Sequence, residues 1–144
     1  MIVDTTDRPE IWIGIDTGVN TGIAVWDSKA KSFISIESTM IHRAMDTVKE
    51  LHSRHAVFVR VEDARLRTWI PQGTGREVLQ GVGSVKRDAR VWSDFLDDIN
   101  CDFEMVAPKN NKTKVTAHFF NRLTRWEHPT NEHSRDASML VFQK

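Results

Sequence analysis

The feature that most constrains the fold is a short apolar segment, Ile11–Asp16, that ends on an acid. Isoleucine occupies every second position of the segment, which is the period of a β-strand. Asp16 therefore shares a strand face with Gly14, where the missing side chain leaves room. Gly18 and Gly22 allow a tight reversal into a second strand. Asp is also a common turn residue, so by itself Asp16 indicates no more than a turn.

A second apolar segment, Ala56–Glu62, also ends on acids, because Asp63 follows Glu62 directly. Valine occupies alternate positions, so this segment too predicts a strand. If the two strands are parallel neighbours, Asp16 and Glu62 lie close together at one edge of the sheet. Carboxylates that close repel each other, and such a pair is usually held by a cation.

A third segment places a histidine and an acid on one face of a predicted helix near residue 136. His133, Asp136, Ala137 and Leu140 are spaced i, i+3, i+4 and i+7. We expect Leu140 to point into the core and to bring His133 and Asp136 along the same line. Taken singly, a surface or capping histidine and a first-turn acid that favours the helix dipole are the commoner interpretations.

The spacing of the apolar segments predicts an α/β fold. The chain has 144 residues, 40% of them apolar and 28% charged, which suits one globular domain spanning residues 1–144. Three strands with short connections indicate an antiparallel meander, and helices before the last two strands indicate parallel crossovers. The prediction is a five-stranded mixed sheet with helices on both faces. The predicted strands are Ile11–Asp16, Gly22–Asp27, Ser32–Glu37, Ala56–Glu62 and Asp102–Ala107. The predicted helices are Ile41–His55, a long one ending near Asn100, one near Thr113–Arg125, and Glu132–Gln143.

Charge and cysteine content narrow the functional classes only slightly. Twenty basic and 20 acidic residues give no net charge, but residues 94–104 are acidic and residues 108–127 are mainly basic. On charge alone, both stretches are best interpreted as solvated helix faces. The single cysteine, Cys101, excludes an intramolecular disulfide and favours a reducing compartment, so we expect a cytoplasmic protein (host cytoplasm if viral). No apolar run is long enough to predict a signal or a membrane span.

Taken in chain order, these motifs resemble the RuvC-type Holliday junction resolvases of the RNase H-like nuclease superfamily. The ordered set covers most of the chain and is more specific than any one motif. The chain is somewhat short for the family, which suggests a compact phage or mobile-element member. The matching segments are IGIDTGVNTGIAVWD, VRVEDAR, GVGSVKRDARVW, APKNNKTKV and EHSRDASMLV.

The resemblance implies a metal-dependent endonuclease that resolves branched DNA. Family members hold two divalent ions with acids at these points, so Asp16, Glu62, His133 and Asp136 are the expected ligands of two Mg²⁺ or Mn²⁺ ions. Ions held roughly 3.5–4 Å apart clamp a scissile phosphate for hydrolysis. The family implies 5′-phosphate products. Asp63 has no counterpart in the family pattern, and we expect it to cap or to face solvent.

DNA contacts are expected from the loop after Glu62 and from two other basic stretches. Arginines in the loop suit phosphates, and Trp69 suits an unpaired base at the junction centre. Burial of Trp69 in the core is an equal alternative, and lone basic residues are more often simply solvated. The candidates are Arg65, Arg67, Trp69, Arg76, Lys86, Arg87, Lys109, Lys112 and Lys114.

A homodimer is the expected assembly, because paired cuts on opposite strands need two sites. The long helix carries an apolar repeat at +4, +3, +4 and +3, and the resemblance places the dimer contact on this helix. Packing of the repeat on the chain's own sheet must account for part of it. Its members are Val85, Ala89, Trp92, Leu96 and Ile99.

Other function classes stay open. A related nuclease could act on structured RNA or flap DNA instead of four-way junctions. Sugar kinases, actins and heat-shock chaperones also begin with an acid-ended strand and a phosphate-binding hairpin, but they need two large domains. An inactive interaction module is disfavoured, because residues for all four metal-site positions are present.

Overall fold

The computed structural model describes residues 8–66, 76–108 and 115–144. Its strands are β1 (Ile11–Asp16), β2 (Asn20–Asp27), β3 (Ser32–Met40), β4 (Val57–Glu62) and β5 (Asp102–Val106). Its α-helices are α1 (Ile41–Arg54), α2 (Arg76–Asp98), α3 (Ala117–Thr124) and α4 (Glu132–Met139). Among the described helices, none combines the length and hydropathy that a membrane crossing requires.

The five strands form one mixed sheet in the order β3-β2-β1-β4-β5. The β1–β2 and β2–β3 pairs are antiparallel, as their short connections require. The β1–β4 and β4–β5 pairs are parallel, and a helix lies within each crossover. The predicted α/β fold is therefore confirmed, with a three-strand meander and two parallel strands.

One face of the sheet packs against α1 and α2. The isoleucines of β1 and the valines of β4 form this core with Val48, Trp92 and Leu96. Ala89, Trp92 and Leu96 are fully buried within a single chain, and Ile99 packs against the same core. The apolar repeat of the long helix thus faces its own sheet, so the interpretation of these residues as a dimer seam is wrong for the buried members. The side chain of Val85 lies outside the described part.

The other face packs against α3 and α4, so helices cover both faces as predicted. Ala24, Trp26, Phe120, Ala137 and Val141 form this second core. The approach of α4 is unusually close, because a Cβ added to Gly14 would lie 2.0 Å from the Ala137 carbonyl oxygen. Gly14 is therefore needed for helix packing, and not only to leave room beside Asp16.

The helix α4 differs in two ways from its prediction. It ends at Met139, four residues before the predicted end, and short turns carry the chain through Phe142. Its buried line is Ser134, Ala137, Ser138 and Val141, whereas Leu140 is only partly buried. Small side chains occupy this line because the helix backbone lies so near the sheet. Leu140 packs against the second core as predicted, but Ala137 is the fully buried member of the predicted line.

Candidate metal and nucleic-acid site

Asp16 and Glu62 occupy matching positions at the ends of two neighbouring parallel strands. The register pairs Ile15 of β1 with Val61 of β4, so the next residue on each strand is an acid. On its other side Asp16 pairs with Gly22 of β2, which has no side chain to crowd the carboxylate. The strand ends thus bring two carboxylates to one edge of the sheet, as the sequence predicts.

The helix α4 brings His133 to the same edge. His133 Nδ1 lies 3.0 Å from Asp16 Oδ2, a hydrogen bond between residues 117 positions apart. The Asp16 side chain is 14% exposed and that of His133 is 52% exposed, so the contact borders solvent. His133 is therefore part of the candidate site and not an isolated surface histidine.

A capping box fixes the start of α4 and so the direction of His133. The Asn131 side chain accepts from the Ser134 backbone N–H at 2.9 Å, and the Ser134 hydroxyl accepts from the Asn131 N–H at 3.0 Å. The Arg135 guanidinium also donates to the carbonyls of Val115 and Thr130. These contacts hold the first turn of α4 on both sides. They lie away from the site but determine where its histidine points.

Asp136 lies one turn further along α4 and is partly buried. The helix α4 runs antiparallel to β1. Its His133 carbonyl lies against Gly22, which is paired with Asp16 at the end of β1, and its Ala137 carbonyl lies against Gly14, which is earlier on β1. Asp136 is therefore at a height between these two contacts. Asp136 therefore lies on the helical turn that follows His133, above the same face of the sheet.

The donor set suits a hard divalent cation, although no cluster is ready-made. Carboxylates and one imidazole are ligands that Mg²⁺ and Mn²⁺ accept. Within residues 8–66, 76–108 and 115–144, no three His, Cys, Asp or Glu side chains are grouped closely enough to hold a metal ion. Asp16, Glu62 and Asp136 each interact with other groups of the protein.

Asp63 is a buried acid that the sequence interpretation missed. Its side chain accepts two hydrogen bonds from Arg65 Nε and Nη2, at 2.9 and 2.8 Å, and one from the Arg65 backbone N–H. Burial raises the pKa of the Asp63 carboxyl, but the hydrogen bonds and charge of Arg65 outweigh burial, so the pKa is lowered. Of the two expectations for Asp63, capping is confirmed, because its carboxylate accepts the Arg65 N–H at the start of a 3-10 helix, whereas exposure to solvent is wrong. Strand alternation was the available signal, because Asp63 continues the buried series of Val59 and Val61.

The predicted DNA-binding residues have mixed outcomes. Arg65 lies at the site edge, but its guanidinium is paired with Asp63 in a short 3-10 helix, Ala64–Leu66. Lys86 and Arg87 are exposed on α2. Arg76 is the first residue of α2, with its side chain outside the described part. Arg67, Trp69, Lys109, Lys112 and Lys114 lie outside the described residues.

Exposed apolar side chains surround the acids, a feature that the sequence interpretation also missed. Val19, at the tip of the β1–β2 hairpin, is 82% exposed, and Leu66 follows the end of β4. Met40, opposite Asn20 in the sheet, is exposed as well. Exposed apolar groups suit a ligand that offers apolar faces, such as those of bases or sugars.

Comparison with known proteins gives the fold but no family assignment. The chain is similar to a solved structure of T. thermophilus RuvC in complex with Holliday junction substrate, with a TM-score of 0.59 and 17% sequence identity. The match covers 92% of this chain and 91% of that one. No protein-family model matches the sequence, and no curated protein matches it significantly. The fold is thus RNase H-like, of the form seen in RuvC. Because the two chains have similar lengths, shortness gives no support for a phage or mobile-element origin, which stays a prediction.

Proposed function

We propose that this protein is a divalent-metal-dependent endonuclease that resolves four-way DNA junctions. The observation that carries the proposal is the hydrogen bond between Asp16 and His133 beside the end of β4. It joins the first strand and the last helix at a sheet edge where Glu62 also ends its strand. Similarity to a RuvC structure over nearly the whole chain supports the same conclusion.

The residues that would hold the metal ions are Asp16, Glu62, His133 and Asp136. Two Mg²⁺ or Mn²⁺ ions, when bound, would polarise the scissile phosphate and favour deprotonation of the attacking water. A neutral His133 with its proton on Nδ1 donates to Asp16 and keeps a lone pair on Nε2. It can therefore orient the Asp16 carboxylate and offer a ligand atom at the same time, as histidines in metal sites commonly do.

The proposed substrate is branched DNA, cut to leave 5′-phosphate ends. T. thermophilus RuvC was solved with a Holliday junction, which supports this class for a chain of the same fold. Exposed Lys86 and Arg87 suit the phosphate backbone, and exposed Val19 and Leu66 suit unstacked bases near the cut. Trp69 and the lysines of residues 109–114 remain proposed contacts of the same kind. A related nuclease acting on flap DNA or structured RNA is the alternative.

Two copies would act together, since a symmetric pair of cuts needs two sites related by a two-fold axis. With its apolar repeat buried inside the chain, α2 offers its outer face instead. Val91 on this face is 43% exposed. We propose that this outer face forms the dimer contact.

The test is substitution of Asp16 by Asn, with Asp46→Asn as the matched control. Asp46 is an exposed acid on α1, away from the candidate site. Gel-shift affinity is measured in Ca²⁺, and nicking of a four-way junction, a linear duplex and an RNA–DNA hybrid is measured with and without Mg²⁺. Asp16→Asn should bind the junction but not cut it, whereas Asp46→Asn should cut normally. Cleavage by Asp16→Asn within about tenfold of wild type would show that Asp16 is not a metal ligand, because loss of a ligand typically costs more.

A further inference from the structure

Arg60 connects three elements next to the candidate site. It lies on β4 two residues before Glu62, so both side chains lie on the same face of the sheet. Its Nη1 donates to the Leu140 carbonyl oxygen at 2.6 Å, and its Nε donates to the Glu104 carboxylate of β5. The side chain is 20% exposed. A single guanidinium therefore ties two strands to the C-terminal end of α4.

The sheet register shows where this contact lies relative to the proposed metal ligands. Arg60 is paired with Gly14 of β1, the residue against which the Ala137 carbonyl packs. The helix runs antiparallel to β1 and β4, so moving toward the site means moving forward on the strand and backward on the helix. From Arg60 to Glu62 is about 6.6 Å along a strand. From Leu140 back to Asp136 is about 6 Å along a helix.

These two distances are nearly equal, so Glu62 and Asp136 lie at about the same height above the Arg60–Leu140 contact. That contact therefore sets the separation of β4 and α4 about 6 Å before the level of the two acids. If Glu62 and Asp136 both contribute to a metal site, their carboxylates repel each other until a cation binds, and the Arg60 cross-link opposes an outward movement of the helix end. An arginine suits the position, because its planar fork binds the carbonyl and the Glu104 carboxylate simultaneously. Its positive charge also favours the C-terminal end of a helix.

We propose that Arg60 is a positioning residue that sets the distance between the Glu62 and Asp136 carboxylates and so prepares the site for metal ions. This inference rests on the proposed function. It assigns Arg60 no contact with substrate or metal. Its effect passes through α4, whose backbone carbonyl it binds.

The experiment compares Arg60→Met and Arg60→Lys with a control, Phe58→Leu. Phe58 lies on the same strand and face and packs on Trp12 with ring centroids 4.8 Å apart, so its truncation lowers stability and removes neither hydrogen bond of Arg60. All proteins are assayed well below their melting temperatures. Arg60→Met should lower kcat by about tenfold or more with little change in KM, since small misplacements of reacting groups are costly. Calorimetry should show Mn²⁺ binding weakened by about tenfold.

Arg60→Lys should recover part of the loss, because an ammonium can still donate to Leu140 but cannot also reach Glu104 with a fixed fork. Phe58→Leu should keep the wild-type kcat and Mn²⁺ affinity. If Arg60→Met behaves like Phe58→Leu in both measurements, the positioning role is overturned, because Arg60 then contributes packing alone.

Amide hydrogen exchange separates failure of this inference from failure of the proposed function. The amides of Leu140, Val141 and Phe142 are hydrogen-bonded within the end of α4. Arg60→Met should speed their exchange more than Phe58→Leu does, whether or not the protein cuts DNA. If wild type neither binds Mn²⁺ nor cuts, the proposed function fails, and unchanged exchange in Arg60→Met would overturn the role of Arg60 independently.

Discussion

Asp16 and His133 form the one contact that turns two ordinary residues into a candidate site. An acid at a strand end and a histidine in a first helical turn each have a common structural explanation. Their hydrogen bond at 3.0 Å gives each residue a partner that neither a turn nor a helix cap requires. At the scale of residues, function is therefore inferred from the pair.

Replacing His133 tests the pair through metal preference. Imidazole is a better ligand for Mn²⁺ than for Mg²⁺, which prefers oxygen. We expect His133→Asp to remain active and to shift the ratio of Mg²⁺ to Mn²⁺ activity toward Mg²⁺. His133→Ala should be much weaker in both metals. The measurement is initial nicking rate in each metal. Wild-type rates for His133→Ala would mean that the site consists of the three carboxylates alone.

Residue types, spacing and the family resemblance together selected four candidate site residues, and that selection stays a prediction. They did not indicate how the neighbouring side chains are held. The burial of Asp63 depends on the guanidinium of Arg65, which lies in a short 3-10 helix. The hydrophobic periodicity of the sequence does not predict this helix. Arg65 illustrates the same limit. Arg65 follows an acidic strand end and was predicted to bind phosphate. In the structure its guanidinium is paired with the buried Asp63 carboxylate instead.

The helix α4 can pack closely on the sheet because two strand positions beneath it are glycines without side chains. A Cβ on Gly14 would lie 2.0 Å from the Ala137 carbonyl oxygen, and one on Gly22 would lie 2.1 Å from that of His133. Both distances are far below van der Waals contact. The second glycine therefore holds open the space in which His133 reaches Asp16.

Alanine at these glycines should displace α4 and damage stability and activity together. Gly14→Ala and Gly22→Ala should each lower the free energy of unfolding by about 1–3 kcal/mol, the usual range for overpacking. Gly83→Ala is the matched control, because a Cβ there meets nothing within 4 Å on an exposed face of α2. It should be neutral or stabilise the helix by up to about 1 kcal/mol. Urea unfolding measures all three, and equal effects would contradict the close packing of α4.

Cys101 tests the packing between the end of α2 and β5. Burial raises the pKa of its thiol to about 11, and the neighbouring Asp102 carboxylate adds to the shift. An unfolded thiol titrates near about 8.5. A raised folded pKa means that the stabilisation is present below about 8.5 and is lost as pH rises toward about 11. Iodoacetamide at pH 8 should therefore label Cys101 slowly in the native protein and quickly in urea.

Cys101→Ala provides the control for this titration. It should lose stability at neutral pH through the smaller side chain, but it should lack the extra decline above about pH 8.5. An identical alkaline decline in wild type and Cys101→Ala would show that the thiol is not its cause.

Strand and helix positions were predictable from alternation and from apolar spacing, whereas the partner of each apolar face was not. The apolar repeat on α2 is equally compatible with a helix that packs on its own sheet and with a helix that packs on a second copy of the chain. Only the register of the parallel strands, with α2 beneath them, shows that Trp92 and Leu96 are already covered. The buried face of α4 was predicted incompletely for a similar reason. The helix packs so closely on the sheet that the small side chains of serine and alanine are buried more fully than Leu140.

At the scale of the whole molecule, the remaining question is whether two copies associate. We predict a homodimer in solution by light scattering, with paired nicks in a four-way junction. Val91→Glu should give a monomer that makes unpaired nicks, because a charge on the outer face of α2 opposes burial. Ile34→Glu, at another exposed apolar position on β3, should remain dimeric. A wild-type monomer that still makes paired nicks would contradict the prediction.

The distance along the chain between Asp16 and His133 has a consequence for synthesis in the cell. All five strands lie between Ile11 and Val106, so a nascent chain can complete its sheet before α4 leaves the ribosome. At that stage the strand acids are present but the last helix is not. Contacts between such distant segments also form late in folding, because a long loop must close first. A fragment truncated or cleaved before Glu132 should therefore fold in part and leave a four-way junction uncut in the nicking assay, because His133 and Asp136 of the proposed site are missing.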